Sequence, residues 1–240
     1  MKTLLTILAV LYSSIAFGQL DLSNFDKESF LIGTLDDYMG RQQTFTASVD
    51  SFDFQKVDIY AQSEKGIALL IDSLFKDEYN DLYITNNNAP KGIKLYSKPL
   101  AAKVNEYYNF KSTGGFTMYG DTVYTGYLIP EKFSTESRKL SFLAGAFLRS
   151  GGKFENGTYY ITIPNSPSKA RVCANLLKEM GCTDVSYEML PNYIPVGHWV
   201  YFRPSQEVEN ILQQLSPIKK IKPLPNEFRE ILKEEFKKVL

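Results

Sequence analysis

Few residues of this chain have the types and spacing that chemistry needs. His198 is the one histidine among 240 residues, so it cannot build an imidazole metal cluster, and beside Trp199 it reads as a turn residue. Cys173 and Cys182 are nine positions apart, with most of a predicted helix between them. At about 1.5 Å per helical residue their Cα atoms lie roughly 13 Å apart, against a limit of about 7 Å for a disulfide. Both therefore read as small apolar core residues. No nucleophile–base constellation, cluster of metal ligands or phosphate-cradling glycine loop accompanies them. The expectation is a protein that is not an enzyme, with no catalytic residues, no cofactor and no metal.

The elements that would position any site show a repeat. Ser29-Phe30-Leu31-Ile32-Gly33 and Ser141-Phe142-Leu143-Ala144-Gly145 share one pattern, 112 residues apart. Two further blocks follow in the same order. Gln62–Leu74 aligns with Asn165–Leu177 at an offset of 103, and Lys94–Pro99 aligns with Trp199–Pro204 at 105. The change in offset gives the first copy nine more residues between its first two blocks, around Gln42 to Phe54, where a longer hairpin is expected. Three blocks in order indicate an internal duplication.

Each copy reads as helix, two strands, helix, two strands, helix. In the first, Ser23 or Asn24 caps a helix through Phe30, Leu31 and Leu35. Strands alternate at Phe45, Ala47, Val49 and at Val57, Ile59, Ala61. A helix from Ser63, a strand pair at 81–85 and 92–96, and a helix from Pro99 complete the unit. In the second, a helix from Ser134 or Thr135 ends at Gly151-Gly152. A hairpin turns at Asn156-Gly157, a helix runs from Ser166-Pro167 to Met180, strands cover 184–189 and 199–202, and a last helix starts at Pro204. A hairpin over 114–127 joins the units. The tail 226–240 places Phe228, Ile231, Leu232, Phe236 and Val239 on one stripe of a helix.

Within each repeat the serine and glycine are four apart, on one helix face. Ser29, Gly33, Ser141 and Gly145 are thus predicted to let two central helices approach closely, with Phe30, Leu31, Phe142 and Leu143 packing on either side.

Lys2, the apolar run Leu4–Ile15 and Ala16-Phe17-Gly18 read as an export signal of bacterial type, cleaved before Gln19. The expected divisions are a signal over 1–18, a first unit over 19–110, a linker hairpin over 111–136, a second unit over 137–216 and a C-terminal amphipathic helix over 217–240. With 44% apolar and 14% aromatic residues, the chain has ample material for a core. The tail from Pro217 holds seven basic and four acidic residues, which leaves 19 against 23 between Gln19 and Ser216. A body charge of −4 lacks the electrostatic footprint of a nucleic-acid binder.

Phe142-Leu143-Ala144-Gly145-Ala146-Phe147-Leu148-Arg149-Ser150-Gly151-Gly152 resembles the motif helix of the LAGLIDADG homing endonucleases. The hairpin after it, the Ser166-Pro167-Ser168-Lys169 helix start and the Lys178–Gly181 helix end fit too. The unit looks still more like the degenerate form in the sporulation regulator WhiA. Phe30–Asp37 matches more weakly. The resemblance implies an α+β fold of two tandem αββαββα units related by pseudo-two-fold symmetry. In active members an acid near the end of each motif helix binds divalent metal, which oxygen ligands from both halves must hold. Here those positions fall on Leu148 and Ser150 in one copy and on Asp36 and Tyr38, flanking Asp37, in the other. Leu148 cannot ligate metal, and Asp36 and Asp37 read as surface acids. The resemblance also implies a concave sheet saddle as the binding surface, with Thr44, Thr46, Ser48, Tyr159 and Thr162 as candidate contacts.

The leading expectation is an exported, non-catalytic binding or assembly protein, periplasmic or secreted. Its partner would be an extracytoplasmic ligand or protein, with no transmembrane segment and no nucleic acid. The alternative is a non-cleaving nucleic-acid-binding protein derived from a homing endonuclease.

Overall fold

Short polar side chains start three of the described helices. Asp26 caps α1 (Lys27–Thr34) by accepting from the Ser29 amide at 2.7 Å, Ser97 caps α3 (Lys98–Asn105) and Thr135 caps α4 (Glu136–Ser150). These helices belong to a computed structural model that describes residues 25–44, 56–87, 92–116, 120–190 and 196–220. The remaining elements are β1 (Arg41–Thr44), β2 (Lys56–Tyr60), α2 (Lys65–Phe75), β3 (Tyr83–Asn87), β4 (Gly92–Tyr96), β5 (Tyr108–Phe116), β6 (Thr122–Leu128), β7 (Gly151–Lys153), β8 (Tyr159–Pro164), α5 (Pro167–Glu179), β9 (Thr183–Leu190), β10 (Gly197–Arg203) and α6 (Gln206–Lys220). The result is a mixed α/β fold with repeated ββα elements.

Among the described residues all the strand pairs are antiparallel, in three sheets: β7-β8-β10-β9, β2-β4-β3 and β1-β6-β5. The orders β8-β10-β9 and β2-β4-β3 correspond. Alternation explains which face each strand buries. In β8, Tyr159, Ile161 and Ile163 face the helices, while Tyr160 and Thr162 face outward. In β10, His198, Val200 and Phe202 are buried and Trp199 and Tyr201 lie on the opposite face.

The core runs without a break through both copies, from Phe30, Tyr60 and Ile71 to Phe142, Ile161 and Phe202. At its centre α1 packs on α4. A Cβ on Gly33 would stand 3.0 Å from Gly145 Cα, and one on Gly145 would stand 3.1 Å from Gly33 Cα. Each would also collide with a backbone oxygen of the facing helix, Phe142 O or Phe30 O. Ser141 Oγ accepts from the Asp26 amide at 2.9 Å, and Ser29 is fully buried.

Several expectations need correction. The linking hairpin begins at Tyr108 rather than beyond 110, and β1 joins it instead of pairing with β2. The helix α4 does end at Gly151, but through an extended residue with φ −87° rather than a left-handed stop, and the chain passes straight into β7. The residue is glycine because a Cβ there would strike the Phe147 ring. His198 is a buried strand residue whose Nδ1 lies 2.7 Å from Tyr187 Oη, not a turn residue. The expectation for the cysteines holds: both are free and buried. The strand expected at 45–49 and the helix expected at 226–240 lie outside the described residues.

Candidate functional site

The ends of α1 and α4 converge with the start of α5 at a small cleft lined by Leu35, Asp36, Ala146, Ser150, Thr162 and Lys169. Motif positions from both copies, Asp36 and Ser150, therefore meet in one place. The side chains around it are set for closure rather than for metal.

Lys169, in the first turn of α5, is buried and points at the C-terminal end of α1. Its ammonium donates to Gly33 O at 2.8 Å, to Ile32 O at 3.5 Å and to Leu35 O. These carbonyls lie at the C-terminal end of α1, where Ile32 O also accepts from the Leu35 amide at 3.3 Å, and they carry the negative pole of the helix. Burial pulls the Lys169 pKa down, while the nearby Asp37 carboxylate opposes that shift.

Arg149, in the last turn of α4, performs the same task from the other side. Nη1 donates to Thr34 O at 2.6 Å and to Asp58 Oδ2 at 2.5 Å. Nη2 donates to Ile59 O at 2.8 Å and to Glu64 Oε2 at 3.2 Å, and Nε donates to Glu64 Oε1 at 3.1 Å. The guanidinium lies 4.6 Å from the Tyr60 ring centre. Burial alone would lower its pKa, but Asp58, Tyr60 and Glu64 outweigh that and raise it. The planar fork satisfies two carboxylates and two carbonyls at once, which an ammonium could not do.

The acids behave accordingly. Asp37 is 7% exposed and accepts from Tyr108 Oη at 2.6 Å, so it is not a surface acid. Burial raises its pKa, against the pull of Lys169. Asp36 is half-buried; burial raises its pKa too, against the pull of Arg149. Leu148 is buried at 1% exposure, and the Ser150 carbonyl accepts from Thr162 Oγ1 at 3.0 Å. Among the described residues no group of three or more histidines, cysteines and acids could hold a metal ion. The positions that need carboxylates hold Leu148 and Ser150, and two cations occupy the ground between the helix ends.

The candidate saddle contacts are dispersed. Thr44 belongs to β1, paired with Val123 in the separate hairpin sheet. Thr46 and Ser48 lie outside the described residues. Tyr159 does not belong to the outer face: it is 4% exposed, packs on Phe147 and Phe202, and donates to Glu209 Oε1 at 3.2 Å. Ile161 and Ile163 set the inward parity of β8, so that Tyr160 takes the outer place. Thr162 does lie on the outer face, opposite Trp199. The residues that organise the cleft, Arg149, Lys169, Asp58, Glu64 and Tyr108, escape a search for ligands because they are spread over five elements. One signal was available: Arg149 and Lys169 both sit inside the segments that carry the family resemblance.

Fold and site together define a mixed α/β scaffold with repeated ββα elements, closed by two buried cations at the ends of α1 and α4. No family model matches the chain, and no curated protein matches it. Among solved structures it is similar to the crystal structure of full-length DUF199/WhiA from Thermatoga maritima, at 12% identity and a TM-score of 0.42. The match covers 89% of this chain and 61% of that one, so the chain spans less than two thirds of that protein's length. The similarity is distant and partial. It corrects four expectations: an exported binding or assembly protein, periplasmic or secreted location after cleavage before Gln19, an extracytoplasmic partner, and the exclusion of nucleic acid. Among the described residues no helix is long and apolar enough to cross a membrane.

Proposed function

We propose that this chain is a non-cleaving nucleic-acid-binding protein on a scaffold derived from a homing endonuclease. The observation that carries the reading is the closed cleft between α1 and α4. There Arg149 and Lys169 neutralise the helix ends and the remaining acids, while the outer face of the β7-β8-β10-β9 sheet keeps its polar and aromatic side chains. Loss of cleavage with retention of a sheet surface is what a binding protein on this scaffold requires. The same reading takes the molecule as two tandem αββαββα units about a pseudo-two-fold axis between Gly33 and Gly145. They would span 19–107 and 137–220, with a linker over 108–136 and a terminal amphipathic helix beyond Lys220. Ser29, Gly33, Ser141 and Gly145 form its central contact, and Thr44, Thr46, Ser48 and Thr162 remain candidates for its binding surface.

The test combines retention and cleavage. Purified protein is titrated into labelled single-stranded and duplex oligonucleotides, and separately incubated with supercoiled plasmid and Mg²⁺ or Mn²⁺. Saturable binding with intact plasmid is the expected result. Failure to bind either form of nucleic acid overturns the binding half. Plasmid cleavage abolished by Asp36→Asn overturns the non-cleaving half.

A further inference from the structure

The outer face of the four-stranded sheet carries a run of aromatic rings that the core does not use. Phe154, just past β7, lies 4.7 Å from Tyr160 on β8 and 6.3 Å from Tyr201 on β10. Tyr160 lies 5.2 Å from Trp199, and Trp199 lies 5.7 Å from Tyr201. The rings of each pair are inclined by 28° to 38° only. Phe154 is 42% exposed and the other three are half-buried, chiefly against each other. The backbone makes room for this arrangement, because a Cβ on Gly152 would run into the Tyr160 ring. Beside Trp199 across the ladders stand Thr162 and Glu188, and Tyr201 Oη donates to Glu188 Oε2 at 3.1 Å.

We infer that this platform binds single-stranded nucleic acid by stacking its bases on Tyr160, Trp199 and Tyr201; the inference rests on the nucleic-acid reading above. Two observations choose the single strand over the duplex. The first is the surface itself: four clustered aromatic rings, with Phe154 the most exposed, and only unpaired, splayed bases have a free face to stack against them. Bases inside a duplex are already stacked. The second is charge. Around the platform Arg203 is paired with Asp184 at 2.9 Å and Lys153 stands 3.7 Å from Glu209, while Glu155 and Glu188 add negative charge. This is no row of cations for tracking two phosphate backbones. With two paired cations against four acids, this surface can hold a nucleic acid only through its bases, with few phosphate contacts. A four-stranded antiparallel sheet with helices behind it and aromatics in front is also a geometry on which two or three bases can be laid out.

The chain has one tryptophan, and it is at the centre of the platform, so its fluorescence reports on the site directly. The full chain is titrated with an oligothymidylate of about 20 nucleotides, with its RNA counterpart and with the corresponding duplex. Trp199 emission and anisotropy of a 5′ dye are followed together. Single strands should quench Trp199 and raise the anisotropy at the same concentrations, with the duplex binding more weakly. Trp199→Ala or Tyr160→Ala should each weaken binding by about 5- to 150-fold, the worth of one base–aromatic stack, and Trp199→Phe should retain most of it. Affinity should fall less than about tenfold between 50 and 200 mM salt, as for one or two phosphate contacts. Circular dichroism of each variant separates lost binding from lost folding, and Trp199→Phe keeps the test informative if the alanine variants unfold. Tight duplex binding that leaves Trp199 emission unchanged overturns the platform but keeps the nucleic-acid reading. Binding of neither form overturns both. Concentration-dependent self-association that buries Trp199 without any oligonucleotide overturns the platform in favour of a second copy of the chain.

Discussion

Arg149→Ala removes one side chain and takes a charged donor from four acceptor groups; among the described residues this leaves Asp58 only the Asp36 amide and Glu64 only the Ala61 amide. Asp58 and Glu64 have side-chain exposures of 12% and 23%, and Arg149 itself has 7%. Thr34 O and Ile59 O lose their donors as well. Breaking a buried ion pair from one side costs about 3–5 kcal/mol, because the partner charges stay behind without compensation. In a body of this size each kcal/mol moves the melting temperature by about 2–4 °C, so a fall of roughly 6–20 °C is expected. Arg149→Lys should recover part of the loss, since an ammonium restores the charge but not the fork. Thermal denaturation followed by circular dichroism provides the measurement, and Asp58→Asn provides the control. In the Arg149→Ala background Asp58→Asn should cost less than in the parent, and there it can stabilise by removing an unpaired charge. A melting temperature within about 3 °C of the parent for Arg149→Ala, or strictly additive effects in the double variant, would refute the network as the element that holds the cleft closed.

Three further outcomes follow from packing and burial. Gly145→Leu places a side chain where the two backbones touch, so it should cost at least the roughly 1–3 kcal/mol of an overpacked core, read from denaturant midpoints. Burial holds the folded-state pKa of Asp37 above its unfolded value, so its contribution to stability is complete below the ordinary carboxylate range and is lost as pH rises through the raised value. The parent minus Asp37→Asn difference in melting temperature should therefore favour the parent progressively as pH falls from 7 towards 4; a flat difference would contradict this. Burial pushes the Cys173 thiol up to about 12, so a thiol reagent should leave it unlabelled in the native protein and react with it on unfolding.

The local elements were largely legible from sequence. Helical stripes, the Thr135 cap and the Asn156-Gly157 turn are decided by neighbours, and Gly157 does take a left-handed φ of +85°; the first helix, however, is capped by Asp26 and not by Ser23 or Asn24, and α2 starts at Lys65 rather than Ser63. The facing of β8 was also within reach, because Ile161 and Ile163 fix its parity and send Tyr159 inward. What sequence could not give was partnership over distance. Arg41–Thr44 carries no mark that directs it to β6 instead of β2. Asp36 and Asp37 look like surface acids until Lys169 and Tyr108, far along the chain, are brought against them. Arg149 stands at a helix end where cations are ordinary, and only the folded chain shows how many acceptors it holds.

The pairing of β1 with β6 also bears on the order of assembly. It joins Arg41 to Gly126, 85 positions apart, and Arg41 further donates to Asn105 Oδ1 at 2.5 Å and to Val57 O at 3.0 Å. Closing so long a loop costs entropy before any contact rewards it, and such non-local pairing slows folding. During synthesis, residues 41–44 must wait until Leu128 has left the ribosome before their strand has a partner. The first copy then completes its surroundings at nearly the moment the second copy's motif helix emerges. The two repeats, alike in sequence, would thus be finished together rather than in turn, with α1 unable to settle until α4 arrives to cover Gly33.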